Sequence, residues 1–273
     1  ERINISLRAG EKIALMANSL DAAKTAHEYI RGEWPSLHVL IYSSETLQSV
    51  KRQHFQDVNK YWATADVLIY TPTVTAAVSF EIEHYDRVFC YFTDQSCTTQ
   101  TCIQMIGRVR SVRSREYIVC VAAQCNNLPT TYDEIHQWLS DSRAGIIEQS
   151  DDLDAAFDIG ADREIKFYNT DYLHVWINNT CVRHTSRNSF TVTLMTQLQT
   201  SGARVEALEP MAYNKAALMD QITAAREEHR GAAALAVAEA ETITREEVDQ
   251  ITDLIAAGND VSLEKLNARK RFW

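Results

Sequence analysis

Two hydrophobic periods alternate along residues 1–125. Five short runs are apolar at successive positions: Lys12–Ala17 (KIALMA), Val39–Tyr42 (VLIY), Val67–Tyr70 (VLIY), Val88–Phe92 (VFCYF) and Tyr117–Ala122 (YIVCVA). A half-buried strand is apolar at every second position, so a run with no polar side predicts a strand covered on both faces. Between the runs, Asp21–Arg31 carries Ala22, Ala23, Ala26 and Ile30 at helical spacing. Leu47–Trp62 is polar with helical spacing, and Thr99–Val109 also reads as a helix. Strands alternating with helices predict a doubly wound α/β domain, a parallel sheet of about five strands with helices on both faces. In such sheets ligands bind at the carboxyl ends of the strands, which directs attention to the loop after each one.

After residue 125 the rhythm changes. Leu128–Asp158 is polar and acidic and reads as a short helix with a connector. Asn169–Cys181 and Asn188–Thr200 are helical in spacing, with Gly202 as the stop for the second. Ala203–Leu208 is a candidate short strand. Asn214–Ala240 is Ala-rich and helical, with Gly231 predicting an interruption. Thr244 and Glu247 form a capping-box pattern for a helix ending near Gly258, and Ser262 opens a last helix. The expected organisation is a domain over 1–125 and a mainly helical accessory region over 126–273.

Charge separates the same two parts. The 273 residues carry 27 Lys/Arg against 37 Asp/Glu, a net charge of −10. Residues 1–125 hold 13 of each sign, so the whole excess lies in 126–273. Arg108, Arg110, Arg113 and Arg115 nonetheless stand within eight residues, so the overall balance does not exclude a local phosphate site. No apolar run approaches the ~20 residues that span a bilayer, and no basic-then-apolar leader opens the chain. The expectation is an intracellular protein of cytoplasm or nucleus, with no membrane partner. The opening Glu1 suggests a piece of a longer protein. Six cysteines occur without a CxxC pair or a nearby His in ligand register, which predicts reduced thiols and no metal site.

Two loops carry chemistry. After the third run the chain reads Thr71-Pro72-Thr73-Val74-Thr75-Ala76-Ala77-Val78-Ser79-Phe80-Glu81. Hydroxyls and free N–H groups at a helix start can hold phosphate oxygens without reading base identity. The same threonines also serve as ordinary helix caps. The helix before the fifth run ends Gln104-Met105-Ile106-Gly107-Arg108-Val109-Arg110-Ser111-Val112-Arg113. Guanidiniums are always charged and their fork matches phosphoryl oxygens. Gly107 permits close backbone approach. Most basic clusters are solvated faces, but this one stands at an element junction.

In this order, DVLIYTPTVTAAVSFE (66–81), YDRVFCYF (85–92) and QMIGRVRS (104–111) resemble the second RecA-like domain of superfamily 2 helicases. More closely they resemble the herpesvirus-type replication origin-binding proteins of DNA viruses and mobile elements. The resemblance covers about residues 10–125, with a weaker continuation in YLHVWINN (172–179) and SRNSF (186–190). It implies an ATP-dependent DNA helicase acting in replication. The first stretch looks like motif V, where Thr71 or Thr73 would meet a nucleic-acid phosphate. Ser79 stands where an Asp that meets the ribose is usual, and Ala77 where a Gly is usual. The last looks like motif VI, with Arg108 as the arginine finger beside Gly107 and Gln104 coupling it to the partner domain. Ser111 occupies the usual second-finger position, so Arg110 or Arg113 is left to substitute. Asn18 and Ser19 look like motif IV, and Ser43 closes the second strand on the same edge as a further nucleic-acid contact. ATP and Mg²⁺ would be held mainly by a first RecA-like domain absent here, neither being bound by this chain alone. The implied partners are DNA, that first domain and other replication proteins.

No GxxxxGK motif followed by Ser or Thr occurs, so this chain has no phosphate-cradling P-loop. Asp133-Glu134-Ile135-His136 spells a DExH string but follows motif VI and no buried strand, which predicts a solvated helix start capped by Thr131 or Asp133. No nucleophile–base pair suggests an unrelated α/β enzyme. The alternative function is a non-catalytic module on a RecA-like domain that binds DNA or a replication protein. The last two helices are either a DNA-reading helix-turn-helix or a plain helical hairpin.

Overall fold

The computed structural model describes residues 1–74, 78–124, 126–141, 157–159, 165–167, 170–209 and 214–273. Its centre is a five-stranded, all-parallel sheet of β1 (Ile13–Ala17), β2 (Val39–Tyr42), β3 (Val67–Tyr70), β4 (Arg87–Thr93) and β5 (Tyr117–Ala122). The spatial order is β2-β3-β1-β4-β5. All five runs form strands, and every residue of the central β1 is buried. The arrangement is the parallel α/β sheet that the alternation predicts, and it fits the RecA-like class that the resemblance implies.

Helices cover both faces. Ile13, Leu15, Val67, Ile69 and Phe89 pack under α1 (Arg2–Arg8) and α2 (Leu20–Glu33) through Leu7, Ala23 and Ile30. Under the other face lies an aromatic stack. Trp62 of α4 (Val58–Trp62) has ring centroids 5.5 Å from Tyr70, 5.9 Å from Phe80 and 5.9 Å from Tyr42. Full burial of one such side chain contributes about 1.5–3 kcal/mol. Phe80, fully buried, therefore anchors the end of an otherwise polar loop.

The chain divides into two compact units. The first comprises Glu1–Thr93, Thr101–Ala122 and Glu206–Trp273; the second comprises Asp94–Gln100 and Ala123–Val205. This division differs from a boundary at residue 125. Nearly half of the acidic region, Glu206–Trp273, joins the sheet domain because α9 (Lys215–Glu239) docks on α2. Arg230 Nε and Nη2 donate to the Asp21 carboxylate at 2.7 and 2.9 Å. His229 Nε2 lies 3.1 Å from Thr25 Oγ1. α10 (Arg245–Ala256) and α11 (Leu263–Phe272) complete that unit, with the capping box at Thr244 formed. The turn between them rests on Gly258, whose φ of +71° is left-handed, and Asp260 accepts from Ser49 N–H at 2.8 Å.

Several elements differ from the pattern. The 47–62 segment breaks at Asp57, whose carboxylate caps α4, leaving α3 (Gln48–Gln56) before it. α5 is Thr99–Ile106, shorter than expected because residues 108–110 pair with Phe80 instead. α9 runs unbroken through Gly231; one glycine costs only ~1 kcal/mol against alanine, and the helix is held by its docking on α2. Ala203–Leu208 is not a strand. In the second unit, α6 (Tyr132–Asp141), α7 (Thr170–Asn188) and α8 (Phe190–Thr200) are helices, and β6 (Phe157–Ile159), at the end of the expected connector, pairs antiparallel with β7 (Ile165–Phe167) beyond it, where no strand is expected. Among the described residues no helix is long and apolar enough to cross a membrane.

Candidate functional site

The parallel register sets Asn18, Ser19, Ser43, Thr71 and Thr73 along the carboxyl edge of β1, β2 and β3. Tyr42 pairs with Tyr70 and Met16 with Tyr70, so the next residues emerge side by side on strands about 4.8 Å apart. What each side chain does there differs.

Asn18 is buried and committed to the fold. Its Nδ2 donates to Thr93 O at 2.7 Å, and Thr93 N–H donates to its Oδ1 at 2.8 Å. An amide spent on both backbone groups of β4 is not available to a phosphate, which removes Asn18 as a side-chain contact. Ser19 is the N-cap of α2, its Oγ accepting from Ala22 N–H at 3.3 Å. Ser43 is buried, and its Oγ accepts from Glu45 N–H at 3.2 Å in a tight turn. Thr71 is also buried, 3.1 Å from Thr73 through the two hydroxyls, while its N–H donates to Tyr42 O at 3.0 Å. Thr73 is only half-buried and is the threonine of the pair that reaches the surface. Ala77 lies outside the described residues.

The two candidate loops are joined by a short parallel ladder. Phe80 N–H donates to Arg108 O at 2.7 Å, and Arg110 N–H donates to Phe80 O at 3.0 Å. Arg108 Nη1 adds a bond to Val78 O at 3.4 Å. Below it, the buried Tyr70 hydroxyl donates to Met105 O at 2.8 Å, pinning the end of α5 to the end of β3. Burial holds that hydroxyl well above the ordinary tyrosine range, so it stays a donor. Tyr70 was not singled out by sequence; its signal was a polar tip closing a wholly apolar strand. Gln104 and Gly107 are exposed at the C-terminal turn of α5 and just beyond it. Ser79 Oγ donates to Glu81 Oε1 at 3.3 Å, and Arg110 lies 3.6 Å from the same carboxylate, open to solvent.

Arg113 goes elsewhere. Its N–H donates to Tyr85 O at 3.1 Å, and its Nη1 donates to Asp86 Oδ1 at 3.0 Å. Asp86 also accepts from Lys12 N–H at 2.7 Å. Lys12 and Asp86 immediately precede β1 and β4, so Arg113 sits at the amino edge of the sheet, a strand length away from the candidate loops. Extended chain from Val109 to Arg113 carries it there. Arg113 is thereby removed as a nucleotide contact and as the substitute finger.

The DExH string opens α6. Thr131 Oγ1 caps Glu134 N–H at 3.3 Å, and the Glu134 carboxylate accepts from Thr131 and Thr130 N–H at 3.0 Å each. Those backbone bonds hold the Glu134 carboxyl below its usual range. Among the described residues, no three His, Cys, Asp or Glu side chains gather as a metal-ligand set.

Residues 1–132 match the family described as origin of replication binding protein. Over these residues, just under half of the chain, the sequence is similar to the herpesvirus-type origin-binding family. A putative helicase/primase complex protein of African swine fever virus (strain Badajoz 1971 Vero-adapted) is 30% identical over 264 residues, 96% of this chain and 25% of that protein. A putative replication origin-binding protein of Acanthamoeba polyphaga mimivirus is 27% identical over 108 residues, 38% of this chain and 13% of that protein. The replication origin-binding protein of human herpesvirus 6A (strain Uganda-1102) is 30% identical over 113 residues, 41% of this chain and 14% of that protein. The chain thus spans a quarter or less of the length of these relatives.

Proposed function

We propose that this chain is the C-terminal helicase portion of an ATP-dependent DNA helicase of the origin-binding type, acting in viral DNA replication. The observation that carries the reading is the Phe80–Arg108 ladder, which fixes a hydroxyl-bearing loop at the sheet's carboxyl edge to a half-buried arginine. The replication names of the relatives support the class of process.

The residues fit a contribution to an ATP site and not a whole one. The chain has the guanidiniums of Arg108 and Arg110 at that junction and no P-loop, so the phosphate cradle and Mg²⁺ ligands belong to a first RecA-like domain of the parent. Mg²⁺, when bound there, neutralises charge between the β- and γ-phosphates. Arg108 stabilises the charge that grows on the γ-phosphoryl oxygens, and does so most in the transition state. Thr73 and the loop N–H groups contact a DNA phosphate. Because the ladder joins Val78–Phe80 to Arg108–Arg110, a strain on the loop from DNA is felt at the finger. Gln104 faces the partner domain across the same edge.

The test is Arg108→Ala against Arg113→Ala in the full-length parent, read by DNA-stimulated ATPase. Finger arginines contribute about 10³–10⁵ in rate elsewhere. Arg108→Ala is expected to slow turnover at least ~10-fold with DNA affinity within a few-fold, and Arg113→Ala to leave turnover within about twofold. Equal loss in both, or loss of DNA binding with turnover intact in Arg108→Ala, overturns the reading.

A further inference from the structure

The second unit contains a cavity of about 220 Å³ that the reading above does not use. Its walls include Trp138, Trp176, Arg183, Arg187, His184 and the loop that follows β4. On α7, Trp176, Thr180, Arg183, His184 and Arg187 recur at three- and four-residue steps, so one helix face presents them all. Trp138 arrives from α6. Trp138 and Trp176 both pack against a core of Ile135, Leu139, Leu173 and Ile177, which holds them in place.

The polar groups are pre-positioned. Asp94, fully buried, accepts from Gln124 N–H at 3.1 Å, from Gln95 Nε2 at 2.9 Å and from Asn126 Nδ2. Its charge is therefore absorbed by the loop. Gln95 Oε1 in turn accepts from Arg187 Nη2. Arg187 Nε is buried and has no hydrogen-bond partner among the described residues. Arg183, exposed, donates to Thr180 Oγ1 at 3.0 Å, which steadies it beside the cavity. His184 Nδ1 bonds Pro129 O at 2.6 Å, so Nδ1 carries the proton and Nε2 remains an acceptor. Burial holds that imidazole below its usual pKa, neutral at physiological pH.

Flat π faces, two fixed cations and one neutral acceptor match a planar heterocycle attached to phosphate. The volume lies below the ~300–1,000 Å³ of pockets that enclose a whole small molecule, and it admits one ring with its phosphate outside. From this geometry we infer that the cavity holds one base of single-stranded DNA, stacked against Trp138 or Trp176, with Arg183 and Arg187 on the flanking phosphates. The choice of DNA over other strands rests on the proposed function; the base-and-phosphate chemistry does not.

The experiment uses the 273-residue chain and fluorescence anisotropy of a labelled (dT)12. The probes beside it are the same backbone with abasic sites, a 12-base-pair duplex, free dTMP and a glutamate 12-mer peptide. Base–aromatic stacking predicts that removing the bases weakens binding roughly 5- to 150-fold. Trp176→Leu and Trp138→Leu, with circular dichroism to confirm folding, give losses in the same range. Arg183→Gln, a surface change that leaves the core alone, flattens the log–log salt slope by about 0.7. Arg245→Gln on α10 is the control for general charge and leaves binding unchanged. The cavity assignment is overturned if abasic and normal strands bind alike, if dTMP or the acidic peptide binds as well as (dT)12, or if Arg183→Gln leaves the slope unaltered. None of these readouts depends on ATPase, so failure of Arg108 as a finger and failure of this cavity as a base site are separate results.

Discussion

The two edges of the central sheet handle polarity in opposite ways. At the amino edge, charges face charges. Lys12 lies 3.3 Å from Asp66, Arg87 bridges Glu11 at 2.9 Å and Glu116 at 2.6 Å, and Arg113 meets Asp86 at 3.0 Å. At the carboxyl ends of β1, β2 and β3 the groups next to the strands are neutral: Asn18, Ser19, Ser43, Thr71 and Thr73. Of the carboxylates nearby, Glu45 is neutralised by Lys24 at 2.8 Å and Lys270 at 3.2 Å, and Asp94, after β4, is bonded by Gln95, Gln124 and Asn126. An edge whose charges are already matched has nothing to offer a phosphate, whereas hydroxyls and N–H groups keep their capacity for an anion. The arginine-rich segment 108–115 runs from one regime into the other. The strand end each arginine reaches, rather than the density of the cluster, sets its role.

The largest effect expected from breaking this contrast is at Asn18. Its amide is the one carboxyl-edge side chain used as scaffold on both its donor and acceptor. Asn18→Ala leaves Thr93 N–H and C=O without those partners, and each buried group left unsatisfied costs about 1–3 kcal/mol. The loss of unfolding free energy is expected at about 2–4 kcal/mol, measured as a lower urea midpoint with unchanged slope. A loss below ~0.5 kcal/mol, the level of an ordinary surface change, means that the amide is free for nucleic acid after all.

A smaller effect is expected at the amino edge, and it depends on pH. Burial pushes the Asp86 carboxyl up, but the Lys12 N–H and the Arg113 guanidinium outweigh it and hold the group below its ordinary value of 3.8. The N–H of His38 does the same first for Asp66, with Lys12 adding to it. A carboxyl lowered in the folded state stabilises the fold above the unfolded pKa, and that stability is lost as pH falls through the folded value. Asp86→Ala is expected to cost about 1–2 kcal/mol at pH 7, and Arg113→Ala less than ~1 kcal/mol because its side chain is half exposed. Below pH 3.8 the gap between wild type and Asp86→Ala narrows. Thermal melts at pH 7, 5 and 2.5 read the trend, and a gap that stays constant into acid removes Asp86 as a lowered carboxylate.

The strands and most helices were legible because their periods are set by local geometry. VLIY and KIALMA are short runs without a polar face, which suits parallel strands in a covered sheet, and β1 and β3 are buried throughout while the edge strand β2 is half-buried at three positions. α1 was not legible, since it buries Asn4 and Ser6 beside Leu7 and shows no apolar stripe. The motif loops were found by their residue types, yet their uses were not. The resemblance singles out Arg108 as the finger, but nothing in the sequence shows that Arg113 lies at the other edge of the sheet. The difference comes from tertiary pairing, Phe80 with the first and Asp86 with the second. Likewise, Asn18 reads as a polar loop residue until the parallel register puts Thr93 against it. The cavity of the second unit was present as Trp176, Thr180, Arg183 and Arg187 along one helix, but its other wall comes from a loop about 80 residues earlier.

The smallest effect is expected at Gly107, next to the finger. Gly107 was read as a glycine for close approach, and the fold itself gives it little reason to be one. Its φ is outside the left-handed region, where only Gly10, Gly202 and Gly258 are found among the glycines described. A Cβ added there meets only Gln104 O at 3.6 Å and Ile103 O at 3.7 Å, ordinary contacts. Replacing a glycine by alanine at a compatible position gains about 0.4–1 kcal/mol through the unfolded chain. Gly107→Ala is therefore expected to leave the stability of this chain unchanged or raise it by up to ~1 kcal/mol, as measured by urea denaturation. In the full-length parent the same methyl faces whatever closes on Arg108. If a partner domain approaches that backbone closely, DNA-stimulated ATPase falls severalfold while the melting temperature holds. A variant that is neutral in both assays shows that nothing presses on Gly107 and leaves Arg108 to act without close backbone approach. A variant destabilised in the isolated chain contradicts the geometry at the end of α5, and with it the placement of Arg108 beside Val78.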